Sequence, residues 1–342
     1  MWQRLRMALG YSDHAWGRHT IAAAIERYRP DVVHFHNIYP QLGPGAISEA
    51  HRHGCATVQT LHNYRLSCLA GTHLRNDKIC ELCTPGHYLN GVRYACYRGS
   101  RLQSAVVQSA AARQWKAFVA DATPMYLLAL TTFVRERFIA CGAPAERVIL
   151  KANSVAAGRP APFESRAGVF CCGRLTPEKG ILALMRAWPD TAPTLTVAGA
   201  GPLEREVRAS TKANVLYLGS LAHEEVLSAL RHALVVAMPS VWPEALSLVA
   251  LEAFAQGTPV VAFAGLSLGS VVQELSRDCV VRFHDFPCLV QRAIELTNAP
   301  FWPQLSRRCV ELWRTTYSPD VNRDALLSTY EAAIAARRAL PA

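Results

Sequence analysis

Two carboxylates, two cations and four thiols are the residues of this chain whose types and spacing could do chemistry. Glu244 and Glu252 stand eight residues apart in PEALSLVALEAFAQGTPVV, a stretch otherwise rich in Ala, Leu, Val and Phe. Charged side chains are seldom fully buried without a partner or a ligand. Two such carboxylates could take the hydroxyls of two sugars in one extended ligand, since a carboxylate is a strong hydroxyl acceptor. Alternatively, one glutamate caps the helix and the other pairs with an arginine. Arg174 and Lys179 flank a turn in CGRLTPEKG; two cations beside helix N-terminal amides suit a diphosphate, and an exposed pair with no ligand is the plainer alternative. Cys68-x11-Cys80-x2-Cys83-x12-Cys96 has the central C-x-x-C of a structural zinc site, with His73 and His87 as spare ligands. An iron–sulfur cluster or a redox pair fits the same spacing.

These residues must be held by something, and the second half of the chain supplies a regular frame. VFCC (169–172), TLTVAGAG (194–201), VLYLGS (215–220), LVVAMPS (234–240) and PVVAF (259–263) read as apolar strands separated by helical text. Strands alternating with helices of this length predict a parallel sheet covered on both faces, with ligands at the carboxyl ends of the strands. The stretch from Pro243 is expected to be one helix, with Pro243 in its first turn and Glu244 at its N-terminus. Glu252 then falls about 80° around and about 12 Å further along. The glycines of VAGAGP, Gly199 among them, either let a ligand approach the backbone or make a tight turn. The first half repeats the pattern less cleanly at 31–37, 57–63, 126–133 and 148–154, with a helix over 134–142.

The order Gly-Arg-(x4)-Lys-Gly, Ala-Gly-x-Gly-Pro, Pro-Ser-x-x-x-Glu-(x7)-Glu-Ala-(x3)-Gly-x-Pro-Val-Val resembles the family 4 glycosyltransferases, retaining enzymes of the GT-B fold. The resemblance covers most of residues 30–335, and the glutamate segment is its most specific part. It implies an α/β protein with two Rossmann-like doubly wound domains facing a cleft. It also implies a nucleotide-diphosphate-sugar donor, of the UDP or GDP type, bound without a catalytic metal. Arg174 and Lys179 would hold the diphosphate, Glu244 the sugar hydroxyls and Glu252 the ribose. Gly219 and Ser220 would lie beside the base, and the amides near Ser247 and Leu248 beside sugar and phosphate. His62, in TLHNYRLSC, would stand near the reacting centre; His34 and His36 in HFHN are read as structural.

The same reading divides the chain into residues 1–157 on the acceptor side, a Pro/Gly-rich linker at 158–167, a nucleotide-sugar domain at 168–317 and a C-terminal helical segment at 318–342. The last is expected to pack back on the first domain. A cysteine-rich insertion occupies 64–100. Two departures from the family stand out. The chain opens without the usual strand and glycine-rich turn, which predicts a shortened first domain and leaves a catalytically defective sugar-nucleotide-binding or scaffold protein as the alternative. Lys151-Ala152-Asn153 replaces a Pro-Asn pair.

The 342 residues carry a net charge of +10. Residues 1–160 hold 19 Lys and Arg against 9 Asp and Glu, so the whole excess lies in the first half. Basic surfaces attract anionic partners, here an anionic glycan or lipid-linked acceptor or a membrane surface. The segment 101–120, with Arg101, Arg113, Lys116, Trp115 and Phe118, reads either as an interfacial helix or as a packed one. Nucleic acid is not expected, because no recognition motif accompanies the charge. Eleven cysteines with no visible signal peptide or membrane-spanning run predict a cytoplasmic chain, peripheral at the inner face of the membrane.

Overall fold

The computed structural model describes residues 15–39, 41–76, 78–119 and 125–339. It divides into two compact units, Met1–Lys151 with Arg323–Ala342, and Ala152–Asn322. The expectation of a missing opening strand falls on residues 1–14, outside the described residues.

The first unit is built on a parallel sheet of four strands, Val32–His36 (β1), Ala56–Thr60 (β2), Met125–Ala129 (β5) and Val148–Leu150 (β6), in the order β1-β2-β5-β6. Side chains alternate across the pleat, so each strand feeds two cores. Phe35, Leu127, Ala129 and Val148 face Ile25, Ile47, Phe118 and Phe138. Ala56, Val58 and Leu128 face Leu326, Tyr330, Ala333 and Ile334 of the C-terminal helix Pro319–Arg338. The helix Arg101–Val119 buries Trp115 and Phe118, so these aromatics serve the core rather than an outer surface. Between β2 and that helix lies the cysteine-bearing lobe, with a short antiparallel ribbon of Leu74–Arg75 (β3) and Lys78–Ile79 (β4).

The second unit has six parallel strands: Val169–Cys172 (β7), Leu195–Ala198 (β8), Val215–Tyr217 (β9), Val235–Met238 (β10), Val260–Phe263 (β11) and Val280–Val281 (β12). Their order is β12-β11-β10-β7-β8-β9. This is the doubly wound order, in which the direction of winding reverses between β7 and β10. Phe170, Phe254 and Phe263 are at most 2% exposed, each contributing about 1.5–3 kcal/mol through burial. Residues 158–167 lie inside this unit. Arg166 is buried there and donates to the carbonyls of Ala161, Ala233 and Gln256 and to Thr258 Oγ1. Four acceptors and no carboxylate hold its charge, and burial lowers its pKa to about 10.

One expected element is corrected. The helix after β10 is Leu248–Ala255, not a helix from Pro243. Residues 241–247 form an irregular loop. Glu244 N donates to Trp242 O at 2.9 Å, and Ser267 Oγ anchors Ala245 O at 3.2 Å. Glu244 therefore sits on a loop, and the spacing of the two glutamates is not that of one helix.

Candidate active site

The switch point between β7 and β10 is where a doubly wound sheet offers a crevice, and the predicted polar residues of the second unit gather at that end. After β7 the chain turns through Arg174, which is exposed, into a short helical turn at Pro177–Lys179. Gly180 closes it at φ 68°, and a Cβ there would lie 2.1 Å from Pro239 O. Only glycine lets the two loops approach so closely. Val241 N then donates to Glu178 O at 2.9 Å, stitching the loop after β7 to the loop after β10.

This stitching places Lys179 Nζ 2.7 Å from Glu244 Oε1, and Ser240 Oγ donates to the same oxygen at 2.5 Å. Glu244 is 6% exposed. Its charge is compensated by the ammonium and the hydroxyl, as a buried carboxylate requires. Among the described residues no hydrogen bond reaches Oε2, so that oxygen retains its accepting capacity. Lys179 also lies over the Trp242 ring, 5.9 Å from its centroid. Ser240 entered the sequence reading only as part of the motif Pro-Ser-x-x-x-Glu, with no role given to it, and Trp242 carried no signal.

At the ends of β8 and β9 the glycines meet. Gly199 N donates to Gly219 O at 2.7 Å, and Tyr217 OH donates to Gly199 O at 2.7 Å. A Cβ on Gly199, at φ 145°, would lie 1.9 Å from Gly173 O. Ser220 is exposed next to Gly219. Ser247 is buried at the start of the helix Leu248–Ala255 and makes no side-chain cap, so the first amides of that helix have no internal acceptor. Glu252, in the second turn, accepts from His223 Nε2 at 2.8 Å. His223 opens the helix His223–His232 and carried no signal in sequence beyond that position. Burial first, then the charge of Glu252, pushes the Cys172 thiol up to about 12, which places Glu252 beside the end of β7.

His62 belongs to the first unit, just beyond β2. Its Nε2 is 2.7 Å from His36 Nδ1, at the end of β1. His34 is fixed by Thr60 Oγ1 at 2.8 Å and Tyr330 OH at 2.7 Å. Burial lowers the pKa values of all three rings, His34 to about 4, and the ammonium of Lys151 adds to the effect.

Cys68, Cys80, Cys83 and Cys96 line one small cavity of the lobe. Burial pushes the Cys83 thiol up to about 11, and the other three thiols act in the same direction. Among the described residues, no group of three or more His, Cys, Asp or Glu side chains is disposed to hold a metal ion. His73 turns to Ser67 Oγ at 2.7 Å and Cys80 O at 3.1 Å. No helix among the described residues is long and apolar enough to cross a membrane.

Two parallel sheets, the second doubly wound with polar loops gathered at its carboxyl end, match the GT-B fold. Two family models match the chain, "Glycosyl transferase 4-like domain" over residues 2–154 and "Glycosyl transferases group 1" over residues 166–298. The first domain is thus of the glycosyltransferase 4-like kind and the second of the glycosyltransferase group 1 kind, on the GT-B fold. Solved structures share that fold at low identity. A mutant of S. aureus TarM in complex with Fondaparinux, alpha-GlcNAc-glycerol and UDP is 15% identical, with a TM-score of 0.64 over 92% of this chain and 58% of that one. The chain thus spans a little over half the length of TarM. Anabaena Alr3699/HepE in complex with UDP-glucose is 14% identical, with a TM-score of 0.62 over 92% of this chain and 82% of that one. Sucrose-phosphate synthase from Thermosynechococcus elongatus is 17% identical, with a TM-score of 0.65 over 93% and 77%. Among curated proteins none matches.

Proposed function

We propose that the chain is a retaining glycosyltransferase. It moves a sugar from a nucleotide-diphosphate-sugar to a glycan or lipid-linked acceptor, in the synthesis of cell-surface polysaccharide. The observation that carries this reading is the Lys179–Glu244–Ser240 constellation at the switch point. It sets a cation for a leaving diphosphate next to a carboxylate oxygen with capacity left for sugar hydroxyls. Arg174 adds a second, exposed cation. Charge that builds on the leaving diphosphate is met by groups already in place, a large contribution to catalysis. The acceptor hydroxyl attacks from the face the diphosphate leaves, which keeps the anomeric configuration without a covalent nucleophile.

In this reading Glu252 takes the ribose hydroxyls, displacing His223. Gly219 and Ser220 line the base, Gly199 lets the donor approach the backbone, and the amides at Ser247 and Leu248 face sugar and phosphate. His62 contacts the donor sugar or the acceptor. Structures with UDP or UDP-glucose bound among the similar folds favour a UDP-sugar. The four cysteines share one cavity; a structural zinc there would pin the lobe, and would require the thiols to close in from their present placement. The chain works in the cytoplasm, peripheral to an anionic membrane. The basic first half supports this, as do Leu82, Leu89 and Tyr94, exposed on the same lobe as Arg93.

The test is a thermal-shift screen of nucleotide sugars on the purified chain, with metal analysis of the same sample. One UDP-sugar is expected to raise Tm, to be consumed in the presence of acceptor, and to give a product of unchanged anomeric configuration by NMR. Full transfer by both Glu244→Ala and Lys179→Ala variants would overturn the assignment. About one zinc per chain is expected, and its absence removes the metal reading alone.

A further inference from the structure

The carboxyl end of the first sheet carries three imidazoles and an ammonium, and among the described residues no carboxylate pairs with them. His36 ends β1, His62 follows β2 and Lys151 follows β6. The ring of His34 lies tilted against that of His36, with centroids 4.2 Å apart. Lys151 makes no ion pair among the described residues. Its charge acts on all three rings, and no Asp or Glu is among the groups that do. His34 is engaged at both nitrogens, by Thr60 and Tyr330. In the His36–His62 pair only the inner nitrogens are engaged, at 2.7 Å. The outer nitrogens, His36 Nε2 and His62 Nδ1, make no hydrogen bond among the described residues. Asn63 Nδ2 donates to Asn37 Oδ1 at 2.9 Å beside them.

One proton lies between the two rings. With both neutral, one outer nitrogen donates and the other accepts. One added proton makes both outer nitrogens donors, but it puts a positive charge on the pair beside that of Lys151. Burial adds to that cost. The group that reverses the balance is an oxyanion, which accepts from both outer nitrogens and from the ammonium. We propose that His36, His62 and Lys151 form a subsite for an oxyanion, a phosphate or carboxylate carried by the acceptor. The reading of the chain as a glycosyltransferase is needed only to call the ligand an acceptor. The cations assigned to the donor diphosphate, Arg174 and Lys179, lie in the other unit, while the net positive charge of the chain lies in its first half.

The experiment follows the histidine rings of the full chain by NMR as pH is varied, with inorganic phosphate as probe. His36→Gln and His62→Gln assign the signals. Phosphate is expected to raise the titration midpoints of His36 and His62 and leave His34, which has no outer donor to offer, nearly unmoved. Lys151→Ala is expected to lose about tenfold or more in phosphate affinity, the scale of one hydrogen bond to a charged group, and Lys151→Arg to keep most of it. Unchanged backbone amide signals of β1, β2 and β5 in Lys151→Ala show that the sheet is intact. Unchanged midpoints, or wild-type affinity in folded Lys151→Ala, overturn the subsite. A second arm repeats the titration at saturating UDP. Phosphate binding that persists assigns the subsite to the acceptor, and displacement by UDP assigns it to the donor and overturns the proposal. If phosphate binds here while no nucleotide sugar stabilises the chain, the subsite stands and the transferase reading falls.

Discussion

Lys179 and Glu244, 65 residues apart in sequence, meet at 2.7 Å with side chains only 16% and 8% exposed. Removing one partner of such a pair leaves the other charge buried and uncompensated. Lys179→Ala is expected to cost roughly 3–5 kcal/mol in urea unfolding. The double variant Lys179→Ala/Glu244→Ala should recover much of that loss, since no orphan charge remains. Equal stability of wild type and Lys179→Ala would show that solvent reaches the carboxylate.

The second glutamate behaves differently. His223, the partner of Glu252, is 69% exposed, and an exposed pair contributes under about 1 kcal/mol. His223→Ala should therefore leave stability almost unchanged and bind UDP at least as tightly as wild type, because the ribose no longer competes with the imidazole. Glu252→Gln should weaken UDP binding about tenfold or more, the value of a charged acceptor lost to a bound hydroxyl. Calorimetric titration with UDP separates the two; weaker binding in His223→Ala would mean that the imidazole itself touches the nucleotide.

Gly199 and Gly219 share a hydrogen bond but need glycine for different reasons. At Gly199 a Cβ would collide with Gly173 O, a backbone atom that cannot move aside; at Gly219, φ 77°, nothing lies within 4 Å of it. Gly199→Ala is expected to cost more than about 3 kcal/mol, at the upper end of single substitutions. Gly219→Ala should cost about 1–2 kcal/mol, the backbone penalty alone. Thermal melts of the two variants check the ranking.

Acid should loosen the first unit. Burial holds His34 and His51 at about 4, against an ordinary 6.5. Between those values the unfolded chain binds protons that the folded chain refuses, so stability falls as pH falls through that window. Urea midpoints measured from pH 7 to pH 4 should decline less steeply in His34→Gln and His51→Gln. Parallel declines would place the acid sensitivity elsewhere.

The central strands of the second unit were legible because they are buried on both faces and read as unbroken apolar runs: VFCC is β7 residue for residue, and VVAM and VVAF are buried throughout. Much of the helical layer after Phe263 was not, and β12 has only two residues. The loop at 241–247 reads as helix because its composition is helical. What unwinds it are donors remote in sequence, Lys179 and Ser267, and no local pattern announces them. The same holds for His223 with Glu252, 29 residues apart, and His36 with His62, 26 apart. Such pairs exist only once parallel strands bring their ends level. Sequence spacing identified chemical types; the sheet decided who meets whom.

Leu326, Tyr330, Ala333 and Ile334 cover one face of the first sheet, and Tyr330 completes the bonds of His34. These residues follow every strand of both sheets in sequence. Chains emerge from the ribosome N-terminus first, at about 5–20 residues per second. The strands made first must therefore wait, with Val58 and Leu128 uncovered, until the last helix is released. The second unit holds all six of its strands before that moment. In this protein the half that is synthesised first is the half that can finish folding last.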